Sequence, residues 1–229
     1  MIINNICVYD YESDSADCNT CEPTQLAALI LNGITLEIIP NSEFKIKMRP
    51  IDIDEPTYFV DHLDTITWHS NNYKNSPEDI YDMWKKGSEQ KAAFDSFNAY
   101  LGKYNKNPSR PNRFGAPIRC GHNIRRFDDV ITDRLCERHG YLTKGEQKIF
   151  NPRTAIDTMD VLFMWLHSNP EVDSLSMDNM RKFFGMELEG GHDALKDVRD
   201  TAFLVQKFLK LHRSLSPRIQ FKGSYNVKG

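Results

Sequence analysis

A chain of 229 residues, 40% hydrophobic and 11% aromatic, has the material for one folded domain with a buried core, and its composition excludes a disordered polymer. No stretch reaches the apolar length of a membrane span, and Met1 to Asn5 lack the basic-then-apolar pattern of a secretory signal, so no membrane partner and a cytoplasmic location are expected. Five cysteines, an odd number in a chain too large to need stapling, fit a reducing compartment.

The net charge of −3 is unevenly spread. Residues 1 to 100 carry seventeen acids against seven bases, whereas Ser96 to Phe127 hold seven bases and no acid, and no acid follows Asp200. A mildly acidic protein with basic stretches can hold a polyanion locally without being a general nucleic-acid coat.

In chain order, Asn5 to Ser13 read as a strand whose Asp10 and Glu12, two positions apart, share one face. Neighbouring carboxylates repel, and a hard divalent cation between them relieves the repulsion. Such a triplet alone carries little weight; other carboxylates must converge on it. A polar loop from Ser13 to Pro23 follows, with a lone Cys18-x-x-Cys21 pair that lacks the second pair of a zinc site. Thr24 to Asn32 and Ile34 to Ile39 are apolar runs split by Asn32-Gly33, a hairpin signal, and Phe44 to Met48 alternate as a third strand. Asp52 to Asn75 show little periodicity and are expected to be irregular. Ser76-Pro77-Glu78-Asp79 open a helix, and Ala92 to Tyr104 form an amphipathic one.

Lys106 to Pro117, with three prolines, is a basic loop. Strand, polar turn and helix then follow twice: Pro117 to Gly121 into a helix from about Phe127 to His139, and Ala155 to Thr158 into Val161 to His167. Helices over Met177 to Phe184 and about Ala194 to His212 complete the chain. Three strands followed by alternating strands and helices imply an α/β fold, a mixed five-stranded sheet with helices packed on it. A single domain over 1–213 and a basic tail over 214–229 are expected.

Two later stretches carry candidate chemistry. In Gly190-Gly191-His192-Asp193-Ala194-Leu195-Lys196-Asp197, two glycines precede a histidine ahead of a helix whose first turns carry Asp197, a candidate metal ligand. In Arg119 to Asp129 a strand ends in polar residues and Asp128 begins a helix, either as dipole chemistry or as a fourth carboxylate reaching the first strand. Asp157 and Asp160 sit in a strand-to-helix turn and read as structural acids.

Together, Asp-x-Glu on the first strand, Asn-x4-Asp in the middle and His-x4-Asp before the last helix resemble the DEDDh group of 3′→5′ exonucleases, which have the ribonuclease H-like fold with helices on both sheet faces. The wording around Asp10 to Ser13 and Gly121 to Asp129 is similar to bacterial exonuclease I, which degrades single-stranded DNA. The short chain and Asp64-Thr65-Ile66-Thr67-Trp68 look more like the compact exonuclease A of tailed phages, which would put the protein in a host cytoplasm.

The resemblance implies that Asp10, Glu12, Asp128 and Asp197 hold two divalent cations, Mg²⁺ or Mn²⁺, with His192 as general base. It implies hydrolysis of phosphodiester bonds from the 3′ end of single-stranded nucleic acid, DNA favoured over RNA, releasing nucleoside 5′-monophosphates. Arg125, Arg126 and the Lys103 to Arg119 loop would neutralise the backbone; Tyr11, Trp68 and Phe127 would stack on bases; Ser13 and Asn123 would contact the terminal nucleotide. Trimming of RNA ends, and a proofreading or binding module working through a polymerase, are the alternatives.

Overall fold

The computed structural model of the chain describes residues 3–143, 145–188 and 193–219. Its centre is β1 (Ile6–Ser13). β2 (Pro23–Leu31) pairs antiparallel with it, Ile6 opposite Leu31 and Glu12 opposite Gln25, and β3 (Phe44–Lys47) pairs antiparallel with β2. Four helices follow: α1 (Tyr58–Asp61), α2 (Leu63–Tyr73), α3 (Pro77–Lys85) and α4 (Gln90–Lys103). β4 (Ile118–Gly121) then returns parallel to β1, with Ile118 beside Ile6. A single 3-10 turn, Ile124–Arg126, leads into α5 (Asp128–Arg138). A short hairpin of β5 (Leu142–Thr143) and β6 (Glu146–Gln147) precedes β7 (Ala155–Asp157), which lies parallel to β4. α6 (Thr158–Leu166), α7 (Met177–Phe184) and α8 (Ala194–Leu215) complete the fold. The main sheet has five strands in the order β3-β2-β1-β4-β7, the mixed sheet that the pattern of strands and helices implies.

Both faces of this sheet are covered, so β2 is buried along its whole length and reads as a nearly continuous apolar run. On one face Cys7, Tyr9, Tyr11, Leu26, Ala28 and Ile30 pack against Phe94 and Phe97 of α4 and Ile131 and Leu135 of α5. On the other, Ile6, Val8, Ala27, Leu29 and Leu31 pack against Ala194, Val198, Ala202 and Val205 of α8. The period-two alternation of β1 thus sends its even-numbered residues toward α8, and Asp10 and Glu12 are even-numbered. A smaller cluster of Ile53, Tyr58, Ile66, Ile80 and Trp84 joins α1, α2 and α3 beside the sheet.

Three expectations are corrected. The Asn32-Gly33 pair makes a broad turn and not a two-residue hairpin: the Asn32 side-chain oxygen accepts from the Ile34 and Thr35 amides, and Leu36 turns back at φ +63°. Gly33 is required by close approach, because a Cβ there would lie 2.0 Å from the Asn4 carbonyl oxygen. The weakly periodic stretch from Asp52 contains α1 and α2; only Ile66, His69 and Ser70 of α2 are buried, too narrow a stripe to show as periodicity. The last helix continues through Ser214 and Leu215, so the proposed tail begins inside it, and 220–229 lie outside the described residues. The helix opening at Ser76 is closed by a capping box, with the Ser76 hydroxyl accepting from the Asp79 amide and the Asp79 carboxylate accepting from the Ser76 amide.

Candidate active site

The acids meet where the C-terminal end of β1 passes the first turn of α8. One carboxylate oxygen each from Asp10, Glu12 and Asp197 lies within 4.8 Å of the others. Asp128, the first residue of α5 and 2% exposed, approaches from the next strand connection, its Oδ1 accepting the Tyr11 amide at 3.0 Å. That bond joins the strand and the helix that carry three of the four acids. Its neighbour Asp129 is turned away, accepting the Tyr9 hydroxyl at 2.8 Å and facing Arg119 Nε at 3.5 Å.

Burial pushes the Asp10 carboxyl well above the usual range, and repulsion from Asp128, Glu12 and Asp197 adds to it. Glu12 is raised for the same reason, burial first and then Asp197, Asp193 and Asp128. Asp128 is pushed up to about 8 by burial, against the opposing Tyr11 amide. A cluster whose members each resist ionising is a cluster that gains from a cation. The donor set is all carboxylate oxygen, with no thiolate among its described members, which suits a hard divalent ion such as Mg²⁺ or Mn²⁺. The residues present therefore fit such ions.

His192 lies outside the described residues. Its neighbour Asp193 caps α8 by accepting the Leu195 and Lys196 amides at 3.1 and 3.3 Å, and pairs with Lys45 of β3. The start of α8 is thereby tied to the edge of the sheet.

One functional side chain had no signature in the sequence. Arg181 of α7 is fully buried and its guanidinium reaches three carboxylates: Asp200 through Nε at 2.7 Å, Asp178 at 2.9 Å, and Asp197 Oδ1. It orients Asp197 and places a fixed positive charge beside Asp10, where it opposes the upward shift of that carboxyl. Lys196 shares Asp200 at 2.6 Å, so the arginine is embedded in a compensated network.

Asp157 is an organiser of the turn that carries Asn123. Its carboxylate accepts the Asn123, Arg125 and Met159 amides at 3.0, 3.2 and 3.0 Å, capping α6 and holding Asn123 at φ +61°. Asp160 pairs with Arg125 at 3.1 Å, both exposed. Neither aspartate joins the cluster of Asp10, Glu12 and Asp197.

Beside Glu12 opens a cleft of about 430 Å³ whose walls include Ser13, Thr65, Trp68 and Phe127. Trp68 is 44% exposed and Phe127 half-buried, so both offer ring surface to the cleft. The Ser13 hydroxyl donates to the Ser15 carbonyl at 2.7 Å, and its carbonyl meets His69 Nε2 at 3.2 Å, fixing the strand end to α2. Two placements correct the sequence reading. The Tyr11 ring, 4% exposed, lies on the opposite sheet face edge-on to Tyr9, so it is core; what it gives the site is its amide. The Lys103 to Arg119 loop leads into the start of β4, parallel to the start of β1, and so lies at the far end of the sheet from the acids; Arg125 and Arg126 alone of that basic stretch follow β4 at their end. Cys18 and Cys21 are free thiols, and the buried Cys21 is pushed up to about 11, the opposite of a metal-ready thiolate.

No family model matches this sequence, and no curated protein sequence does. Solved structures do. Exonuclease I of E. coli in complex with a 5cy-dT13 oligonucleotide superposes with a TM-score of 0.62 at 19% identity, over 96% of this chain and 46% of that one. A moderately thermophilic exonuclease I from Methylocaldum szegediense gives 0.63 at 19% identity, over 92% and 41%. The zinc-bound form of the E. coli exonuclease I–ssDNA complex gives 0.63 at 19% identity, over 94% and 42%. The fold is therefore exonuclease I-like, and the chain spans less than half the length of these neighbours.

Proposed function

We propose that the protein is a metal-dependent 3′→5′ exonuclease of the DEDDh type acting on single-stranded DNA. The observation that carries this reading is the convergence of Asp10, Glu12 and Asp197 within 4.8 Å, with Asp128 alongside, in a fold like that of exonuclease I. The neighbours' complexes with DNA oligonucleotides support the choice of substrate.

Asp10, Glu12, Asp128 and Asp197 would hold two divalent cations, which when bound supply Lewis acidity toward the phosphodiester and lower the pKa of an attacking water. The protein's own groups do the rest. The four carboxylates set the local charge, and Arg181 keeps Asp197 in one orientation. The cleft beside Glu12 would receive the terminal nucleotide, with Trp68 and Phe127 against its base and Ser13 near its sugar, and Asn123 is proposed as a further contact. Arg125 and Arg126 attract the phosphates behind it. The His192 imidazole takes the proton of the attacking water on a ring nitrogen. One nucleoside 5′-monophosphate leaves per cycle.

The test is degradation of matched 5′-labelled DNA and RNA strands with Mg²⁺ or Mn²⁺, beside Asp10→Ala and His192→Ala proteins. A ladder shrinking from the 3′ end, absent in Asp10→Ala and slowed about 10²- to 10⁴-fold in His192→Ala with binding retained, is the expected result. A His192→Ala protein with unchanged turnover overturns the base assignment, and a wild type that cleaves neither strand overturns the nuclease reading.

A further inference from the structure

The basic loop expected to neutralise the nucleic-acid backbone lies at the other end of the sheet from the acids. Asn4 Nδ2 donates to the Phe114 and Ala116 carbonyls at 2.7 Å, Asn5 Nδ2 donates to the Tyr104 carbonyl at 3.2 Å, and Ile118 pairs beside Ile6. Asn5 and Glu12 are seven strand residues apart, so this end lies about 23 Å from the acids. The segment before β7 arrives here too, since β7 runs parallel to β4 and Asn151 Nδ2 donates to the same Phe114 carbonyl at 2.8 Å.

These segments enclose a cleft of about 770 Å³ with Lys106, Phe114, Arg153 and Ile3 among its walls. Two of its apolar members are open to solvent, Phe114 47% and Ile3 41% exposed. The Arg153 guanidinium lies 4.9 Å over the Phe114 ring and that of Arg113 5.1 Å, so two guanidinium groups sit against one aromatic ring. Arg113 is paired with Glu146 at 2.5 Å, but among the described residues Lys106, Arg110 and Arg153 have no carboxylate partner. Of the nearby side-chain amides, those of Asn4 and Asn151 donate to the Phe114 carbonyl, and the Asn112 side-chain oxygen accepts the Gly115 amide.

We infer that this cleft is a second subsite for single-stranded nucleic acid, distinct from the catalytic cleft. Lys106 and Arg153 in its walls, with Arg110 on the adjoining loop, supply phosphate neutralisation, and the Phe114 ring supplies π surface that any base can meet. The inference rests on the nucleic-acid class of substrate proposed above and not on catalysis.

The test is fluorescence anisotropy of a labelled twenty-nucleotide oligothymidylate in EDTA, where no turnover occurs, across a series of KCl concentrations. Wild type is compared with a Lys106→Gln/Arg110→Gln/Arg153→Gln protein, whose thermal melt verifies folding. Loss of three phosphate contacts flattens the slope of log K against log salt by about 2 and weakens low-salt binding about tenfold or more. Photo-crosslinking of a 4-thiothymidine strand to wild type is expected to label peptides within 104–117 or 151–154. Equal affinity and slope in the two proteins, or crosslinks confined to the catalytic cleft, overturn the inference. A wild type that cleaves nothing yet binds through this cleft would overturn the nuclease reading alone.

Discussion

Divalent cations are expected to stabilise this protein, and to do so more strongly as pH rises. Asp128 is 2% exposed and its carboxyl is pushed up to about 8 from an ordinary 3.8, with Asp10 and Glu12 raised in the same direction. A carboxyl raised in the folded state keeps its proton where the unfolded chain has released it. Its contribution is therefore fully present below the unfolded value near 4 and is lost as pH climbs through about 8. Inside that window each pH unit removes at most about 1.4 kcal/mol per group, which is large against a total stability of about 5–15 kcal/mol. A cation takes the place of the protons and reverses the loss. At about one hundred times its dissociation constant it adds about 2.7 kcal/mol, or about 5–11 °C in Tm for a chain of this size. The assay is a set of thermal melts in EDTA and in Mg²⁺ or Mn²⁺ from about pH 5 to 9, with an Asp10→Asn/Glu12→Gln protein as control; the EDTA series should fall with pH, and the cation increment should grow across the same range. A cation increment that is flat with pH, or one that survives in the control, would refute the reasoning.

Asp157→Ala removes the cap of α6 and the acceptor of two further amides, so urea unfolding should show a loss of about 2–4 kcal/mol; a loss under about 0.5 kcal/mol would mean that water replaces the carboxylate. Arg181→Met strands Asp197 and Asp200 without their guanidinium and should cost about 3–5 kcal/mol, while an Arg181→Met/Asp200→Asn protein recovers part of it; the same cost in both proteins would show that the arginine acts through packing alone. Trp68→Ala should raise KM for single-stranded DNA by about 5- to 150-fold with the melting temperature nearly unchanged, because the ring is 44% exposed; an unchanged KM would remove it from the substrate path.

The convergence of Asp10, Glu12 and Asp197 was legible because each sits beside a local signal: a period-two strand, and an apolar stripe that docks α8. The same period-two rule that placed Asp10 and Glu12 together also put the Tyr11 ring on the other sheet face, where it packs in the core. Arg181 was not legible, since its partners Asp197 and Asp200 belong to another helix and a buried arginine looks like a surface one in sequence. The basic stretch misled for a topological reason. Lys106 and Arg125 are nineteen residues apart in a charge run without acids, but β4 passes between them and carries them to opposite ends of the sheet. α2 was hidden because three buried residues in eleven leave no stripe, although it supplies Trp68 to the cleft.

The acid cluster joins the first strand of the fold to its last helix, Asp10 and Glu12 on β1 and Asp197 on α8. Contacts of that sequence separation form late, because nearly the whole chain must be closed into a loop before they are rewarded. A nascent chain leaving the ribosome therefore carries Asp10 and Glu12 long before it has Asp197. Under the proposed nuclease function, a cation site built from all of these acids would not exist until α8 has emerged.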